Sequence, residues 1–111
     1  MEIKIGHHIF NANLSTNSSA LKFKALLPLN LNMIELNGNE KYASLPISLP
    51  VNHEKVNKIK AGDIMLYGDD TLVIFYKDFS TPYSYTRLGH ITDTTALVKA
   101  LGSGNITVNF R

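Results

Sequence analysis

Residues 63–91 read DIMLYGDDTLVIFYKDFSTPYSYTRLGHI, and they decide most of the fold. Two apolar runs, 63–67 and 72–76, flank Gly68-Asp69-Asp70, a loop of turn formers, so the stretch predicts a β-hairpin. From Leu72 to Tyr76 no residue is charged or strongly polar, and neither face of that strand suits water. It is therefore expected to be central and covered on both sides. After the connection KDFSTPY, residues 83–91 read as a further strand, with Tyr83, Tyr85, Arg87 and Ile91 on one face and Leu88 on the other.

Outward from this stretch the chain keeps to short elements. Downstream, DTTALVKALG predicts a compact helix capped by Asp93 or Thr94 and stopped by Gly102, which accepts the left-handed conformation. NITVNF closes the chain as a strand with Ile106, Val108 and Phe110 inward. Upstream, MEIKIGHHIF opens as a hairpin turning at Gly6-His7. Ile5 then falls opposite His8 and Ile3 opposite Phe10, and His8, Phe10, Ala12 and Leu14 share a face. STNSSALKFKALLP supplies a cap at Asn17, Ser18 or Ser19 and a short helix with Ala20, Leu21, Phe23, Leu26 and Leu27 on its apolar side; Pro28 ends it. LPLNLNM alternates as a half-buried strand, Leu29, Leu31 and Met33 against Asn30 and Asn32. Residues 35–63 read as irregular, since Asn37-Gly38 marks a turn and Pro46 and Pro50 disfavour a central strand while still allowing an edge strand.

With 111 residues, 44% hydrophobic and 18% charged, the chain suits one domain with one core, spanning 1–111. Seven or more short strands and two short helices predict a mainly β barrel or sandwich, with the helices at its ends or over one side. The net charge is +2, and nine of the eleven basic residues are scattered lysines. Their tightest group, Lys55, Lys58 and Lys60, lies in a loop that also carries Glu54 and Asp63 and reads as a solvated face, so no nucleic-acid partner is expected. Without cysteine, disulfide and thiolate chemistry are excluded. The N-terminus lacks the apolar run of a signal peptide, and no window approaches the ~20 apolar residues of a membrane span. A cytoplasmic protein without membrane association is the expectation.

Several local patterns imitate active sites. Gly102-Ser103-Gly104 resembles a phosphate loop, but a phosphate cradle needs its glycines before a helix, and these follow one. His53-Glu54 begins a zinc-protease pattern that Asn57 breaks where the second histidine belongs. His7 and His8 point to opposite faces of a strand, and no metal site or cofactor is expected. No serine lies in a nucleophile elbow. Asp63, Asp69 and Asp70 flank a hairpin, where acids serve as turn formers.

The aromatic residues are more telling. Phe75, Tyr76, Phe79, Tyr83 and Tyr85 fall within one short stretch with Arg87, the only arginine before the C-terminal residue. Tyr83, Tyr85 and Arg87 share the face of a strand, where a guanidinium can stack on a ring and donate to a partner. Two readings follow. In one, the rings form part of the barrel wall and Arg87 pairs with an acid such as Asp63 or Asp78. In the other, Arg87 anchors a ligand in a groove walled by Tyr67, Phe75, Tyr83 and Tyr85.

The motifs LNGNEKY, GDIMLYGD, FSTPYSYTRLG and GSGN, in this order over nearly the whole chain, resemble the bacterial cyclophilin-like domain proteins. That resemblance implies a small closed β-barrel with two short helices covering its ends, and a groove for a small molecule or a peptide. Classical cyclophilins are prolyl isomerases that use an arginine and an apolar pocket. Their Phe-His-Arg-Val-Ile run, Gln-Gly-Gly-Asp stretch and pocket tryptophan are absent here, and Arg87 sits in a different motif, Tyr-Thr-Arg-Leu-Gly. The resemblance therefore implies a binding barrel, with weak isomerase activity or a homodimeric interaction module as the alternatives to a monomer with a groove.

Overall fold

A computed structural model of the chain describes residues 1–111. In chain order the elements are β1 (Glu2–Ile5), β2 (His8–Leu14), α1 (Ser18–Ala25), β3 (Leu29–Leu36), β4 (Glu40–Ser44), β5 (Glu54–Lys55), β6 (Lys58–Ile59), β7 (Asp63–Tyr67), β8 (Thr71–Phe75), β9 (Phe79–Ser80), β10 (Ser84–Ile91), α2 (Thr94–Leu101) and β11 (Ile106–Phe110). Eight of the strands form an antiparallel wall in the order β2-β1-β11-β3-β4-β8-β7-β10, and β10 pairs back onto β2 to close it. Closure leaves the wall without a free edge. The short β5 attaches outside to the start of β10, while β6 and β9 pair with each other.

The alternation read from the sequence sets the inside of this barrel. Ile3 lies opposite Phe10 and Ile5 opposite His8, as the N-terminal hairpin requires. Ile3, Ile5, Met33, Leu72, Val108 and Phe110 fill the interior with their side chains fully or almost fully buried. Each helix adds to the same core, α1 through Ala20 and Phe23, α2 through Leu97 and Leu101. Phe23 meets Phe110 edge to face at 5.8 Å, the geometry that places a positive ring edge on a negative ring face. The Asn17 side chain caps α1 by accepting from the Ala20 amide at 2.8 Å. Asp93 accepts from the Ala96 amide to cap α2, and Gly102 ends it at φ 64°. Leu21, assigned to the apolar side of α1, is instead 62% exposed, and Ser19 takes a buried place.

Strand β8 is covered on both faces, as expected from its composition. Leu72 and Ile74 point into the barrel. Val73 and Phe75 point outward into a second cluster with Val56, Ile59, Met65 and Tyr85. This outer cluster lies under the segments that carry β6 and β9.

Two elements differ from the sequence reading. The segment 35–63 is not irregular throughout, because Asn37 and Gly38, at φ 57° and 67°, turn the chain into β4. That strand lies between β3 and β8 in the wall. Its inward residues are Lys41 and Ala43, and a lysine at a core position hides the apolar period; Pro46 and Pro50 lie beyond its end. In β10 the register shifts between Arg87 and Gly89. One extra residue reverses the alternation, so Leu88 and Ile91 both enter the barrel core. Ile91 therefore does not share the face of Tyr85 and Arg87. The same bulge brings Gly89 against β2, where an added Cβ would stand 2.6 Å from the Asn13 carbonyl oxygen. Only glycine lets β10 approach β2 closely enough to close the barrel there.

Candidate functional site

The outward faces of β4, β7, β8 and β10 form one surface. Strand register places Tyr42 beside Val73, Val73 beside Met65, and Tyr67 beside Thr71. Across it runs a line of aromatic contacts. Tyr83 meets Tyr67 at 6.3 Å, Tyr67 meets Tyr85 at 5.7 Å, Tyr85 meets Phe75 at 5.5 Å and Phe75 meets Phe79 at 5.6 Å. Four of the five aromatics gathered in the sequence, Phe75, Phe79, Tyr83 and Tyr85, thus gather in space with Tyr67, while Tyr76 belongs to the core inside the barrel. The inner part of the line is sealed, since Phe75 is fully buried and Tyr85 nearly so, with Phe79 half-buried beyond them; the other end is open, with Tyr67 49% and Tyr83 58% exposed.

At the open end lies a pocket of about 360 Å³, with Tyr42, Tyr67, Tyr83, Tyr85, Val73 and Glu40 in its lining. Three of the five residues singled out from sequence, Tyr67, Tyr83 and Tyr85, line it. Phe75 is buried behind Tyr85. Arg87 is absent from the lining: its Nε donates to the Glu54 carboxylate at 2.5 Å, with both side chains about half exposed. The partner is neither Asp63, which binds His90 Nδ1 at 2.9 Å, nor Asp78, which accepts from the Ala61 amide at 2.8 Å. Arg87 thereby fastens β5 and the segment behind it onto β10.

Tyr42 and Glu40 escaped the sequence reading because β4 did. Once Asn37-Gly38 is followed by a strand, residues 40 and 42 fall on its outer face. Glu40 is the only charged residue of the lining, and its carboxylate takes part in none of the three ion pairs of the chain. Burial raises its pKa above the ordinary carboxylate value, and the nearby charge of Glu35 raises it further. Tyr85 is raised too, first by burial and then by the charge of Glu40. No three of the side chains that hold metals converge anywhere in the fold.

A second polar group sits inside the barrel wall. Lys41 is fully buried, and its Nζ donates to Glu35 Oε1 at 2.9 Å and to the carbonyls of Gly102 at 3.0 Å and Gly104 at 2.6 Å. The Tyr76 hydroxyl donates to the same Glu35 oxygen at 2.5 Å, and Asn105 accepts from the Glu35 amide. The loop Gly102–Asn105 is therefore a clasp for a buried ammonium, with carbonyls where a phosphate cradle would present amides. Burial alone pushes the Glu35 carboxyl up, but hydrogen bonds from Tyr76, Lys41 and the Gly38 amide outweigh it and the net shift is downward. Burial, together with the bond to Glu35, pushes the Tyr76 hydroxyl up to about 12.

On the opposite arc of the barrel, β1, β11 and β3 present a wide depression whose lining is mostly polar, with Lys4, Asn30, Thr107, Asn109 and Arg111. No helix of the chain is long and apolar enough to cross a membrane.

Comparison with known proteins supports the fold. McbB, solved in complex with tryptophan, superposes with a TM-score of 0.76 at 18% identity, over 97% of this chain and 43% of that one. The present chain thus spans less than half the length of McbB, and at that identity the likeness is one of fold. No curated protein sequence matches the chain significantly. Residues 3–111, which hold every strand and helix of the barrel except its first residue, match the sequence model of the Cyclophilin-like family, and the chain belongs to that family.

Proposed function

We propose that the chain is a binding barrel, taking a small molecule or a short peptide segment in the tyrosine-lined pocket on the outer face of β4, β7, β8 and β10. The observation that carries this reading is the exposure of Tyr67 and Tyr83, at 49% and 58%, beside a concavity of about 360 Å³. The barrel interior is complete without these rings, so folding does not require them there, and an exposed aromatic concavity is what a ligand site looks like before it is filled. Tyr67, Tyr83 and Tyr85 are its walls, with Phe75 supporting Tyr85 from behind. A protein of the same fold that has been solved with tryptophan is in keeping with a small-molecule ligand. Prolyl isomerisation would need a guanidinium free to meet the prolyl amide, and that of Arg87 is held by Glu54; binding without turnover is the function we adopt.

The test is an amide NMR titration with tryptophan and, separately, with an Ala-Pro peptide. Shifts confined to residues 36–42, 67–73 and 83–85, with binding weakened about tenfold by Tyr83→Ala through loss of one ring worth about 1.4 kcal/mol, are the expected result. Shifts elsewhere, or unchanged affinity in Tyr83→Ala, would overturn it. Accelerated cis–trans exchange of the peptide would replace it by an isomerase.

A further inference from the structure

Building on the pocket reading above, we propose that the ligand is an organic cation, an ammonium group on a compact aromatic or alkyl frame, held by the Glu40 carboxylate within the ring of tyrosines. Four tyrosine rings line the pocket, and the face of each carries the negative pole of its quadrupole, which attracts a cation and not an anion. Glu40 is the one formal charge among the lining residues, and it is negative.

The carboxylate also has no internal partner to give up. Its neighbour in the chain, Lys41, turns the other way into the barrel, where Glu35 and the carbonyls of Gly102 and Gly104 hold its ammonium. The other nearby acid, Glu35, is engaged by Lys41, Tyr76 and the Gly38 amide. A neutral ligand filling the pocket would strip water from Glu40 and return at most a hydrogen bond without a counter-charge, and an anion would be repelled. An ammonium replaces the lost water with hydrogen bonds and also supplies the opposite charge. The partial burial that already disfavours the charged form of Glu40 makes such a counter-ion worth more than it would be at an open surface.

The discriminating experiment uses three probes of nearly equal shape, benzylamine, benzyl alcohol and benzoate, titrated at pH 7 into the wild-type chain and into Glu40→Gln. Glu40 enters the sheet through its backbone and makes no side-chain bond, so the variant keeps the fold, as its amide spectrum checks. Benzylamine is expected to bind about tenfold more tightly than the alcohol and benzoate most weakly, and Glu40→Gln is expected to bring amine and alcohol within about twofold. An alcohol or benzoate that binds as well as the amine, or a preference that survives in Glu40→Gln, overturns the cation assignment and leaves the pocket reading intact. Absence of shifts with all three probes overturns both. A tripeptide with a central lysine, compared with its norleucine counterpart, identifies the source of the cation. A lysine peptide that outbinds both norleucine and benzylamine places the ammonium on a peptide, and the reverse order places it on a free amine.

Discussion

Replacing Lys41 by methionine removes the only charge fully buried inside the barrel while keeping the unbranched stem up to the ε position. Its ammonium is 0% exposed and donates to three oxygens, and its partner Glu35 is 19% exposed. Breaking a buried pair from one side costs about 3–5 kcal/mol, because the remaining charge is left uncompensated. Here the lower end applies. Glu35 keeps its bonds from Tyr76 and the Gly38 amide, and the carbonyls of the exposed loop 102–104 can turn to water. With an unfolding entropy near 2.1 cal/mol/K per residue, a loss of about 3 kcal/mol lowers the melting temperature of a 111-residue chain by about 13 °C. Circular dichroism melts and urea titrations measure both quantities. The double variant Lys41→Met with Glu35→Gln should regain about 1–2 kcal/mol, since glutamine still accepts from Tyr76 without an unpaired charge. A cost for Lys41→Met below about 1 kcal/mol, or no recovery in the double variant, would refute the view that this ammonium is buried and clasped.

Further expectations concern other parts of the fold. Gly89→Ala sets a methyl group 2.6 Å from the Asn13 carbonyl oxygen and should cost about 1–3 kcal/mol of overpacking, read as a lower urea midpoint. Tyr76 titrates near 12 in the fold, above its ordinary value of 10.0. Its contribution to stability is therefore complete below pH 10 and lost as the pH rises towards 12, and Tyr76→Phe should flatten that alkaline decline in pH-dependent melts. Arg87→Ala breaks an ion pair that is about half exposed on both sides, so its stability change should stay within about 1 kcal/mol. A larger loss would show that Arg87 holds more of the covering segment than Glu54.

The legible parts of the fold are those where one face of a strand is apolar and no residue interrupts the period. Ile3 and Ile5, Leu29 to Met33, and Ile106 to Phe110 each announced their inward face, and the doubly apolar run from Leu72 to Tyr76 announced a strand with cover on both sides. The period failed where chemistry replaced hydrophobicity. Lys41 stands at an inward position because the Glu35 carboxylate and two loop carbonyls satisfy its charge, partners that no local pattern supplies. With β4 unread, Glu40 and Tyr42 could not be assigned to the pocket. The bulge at Leu88 is equally silent in sequence, apart from the glycine beside it, and it moved Ile91 to the other face. Arg87 was placed correctly beside Tyr85, but its acid came from Glu54, on a two-residue strand with no periodic signal.

The division between two apolar clusters bears on why the proposed site falls on this wall. A closed barrel that fills its own interior, with α1 and α2 completing the core, has no structural need for aromatic residues outside. Yet Phe75 and Tyr85 are buried on the outer face, under the segments of β6 and β9. Burying a large ring stabilises by about 1.5–3 kcal/mol, so this outer cluster explains itself through stability as far as Tyr85. Beyond Tyr85 the gain fades, because Tyr67 and Tyr83 retain about half their surface in water, while a carboxylate without a counter-ion sits next to them. Neither an exposed ring pair nor an unpaired, partly desolvated Glu40 improves the free barrel. Both would become favourable with the proposed cation and its apolar body between them, and on that proposal the boundary between structure and function on this face falls at Tyr85.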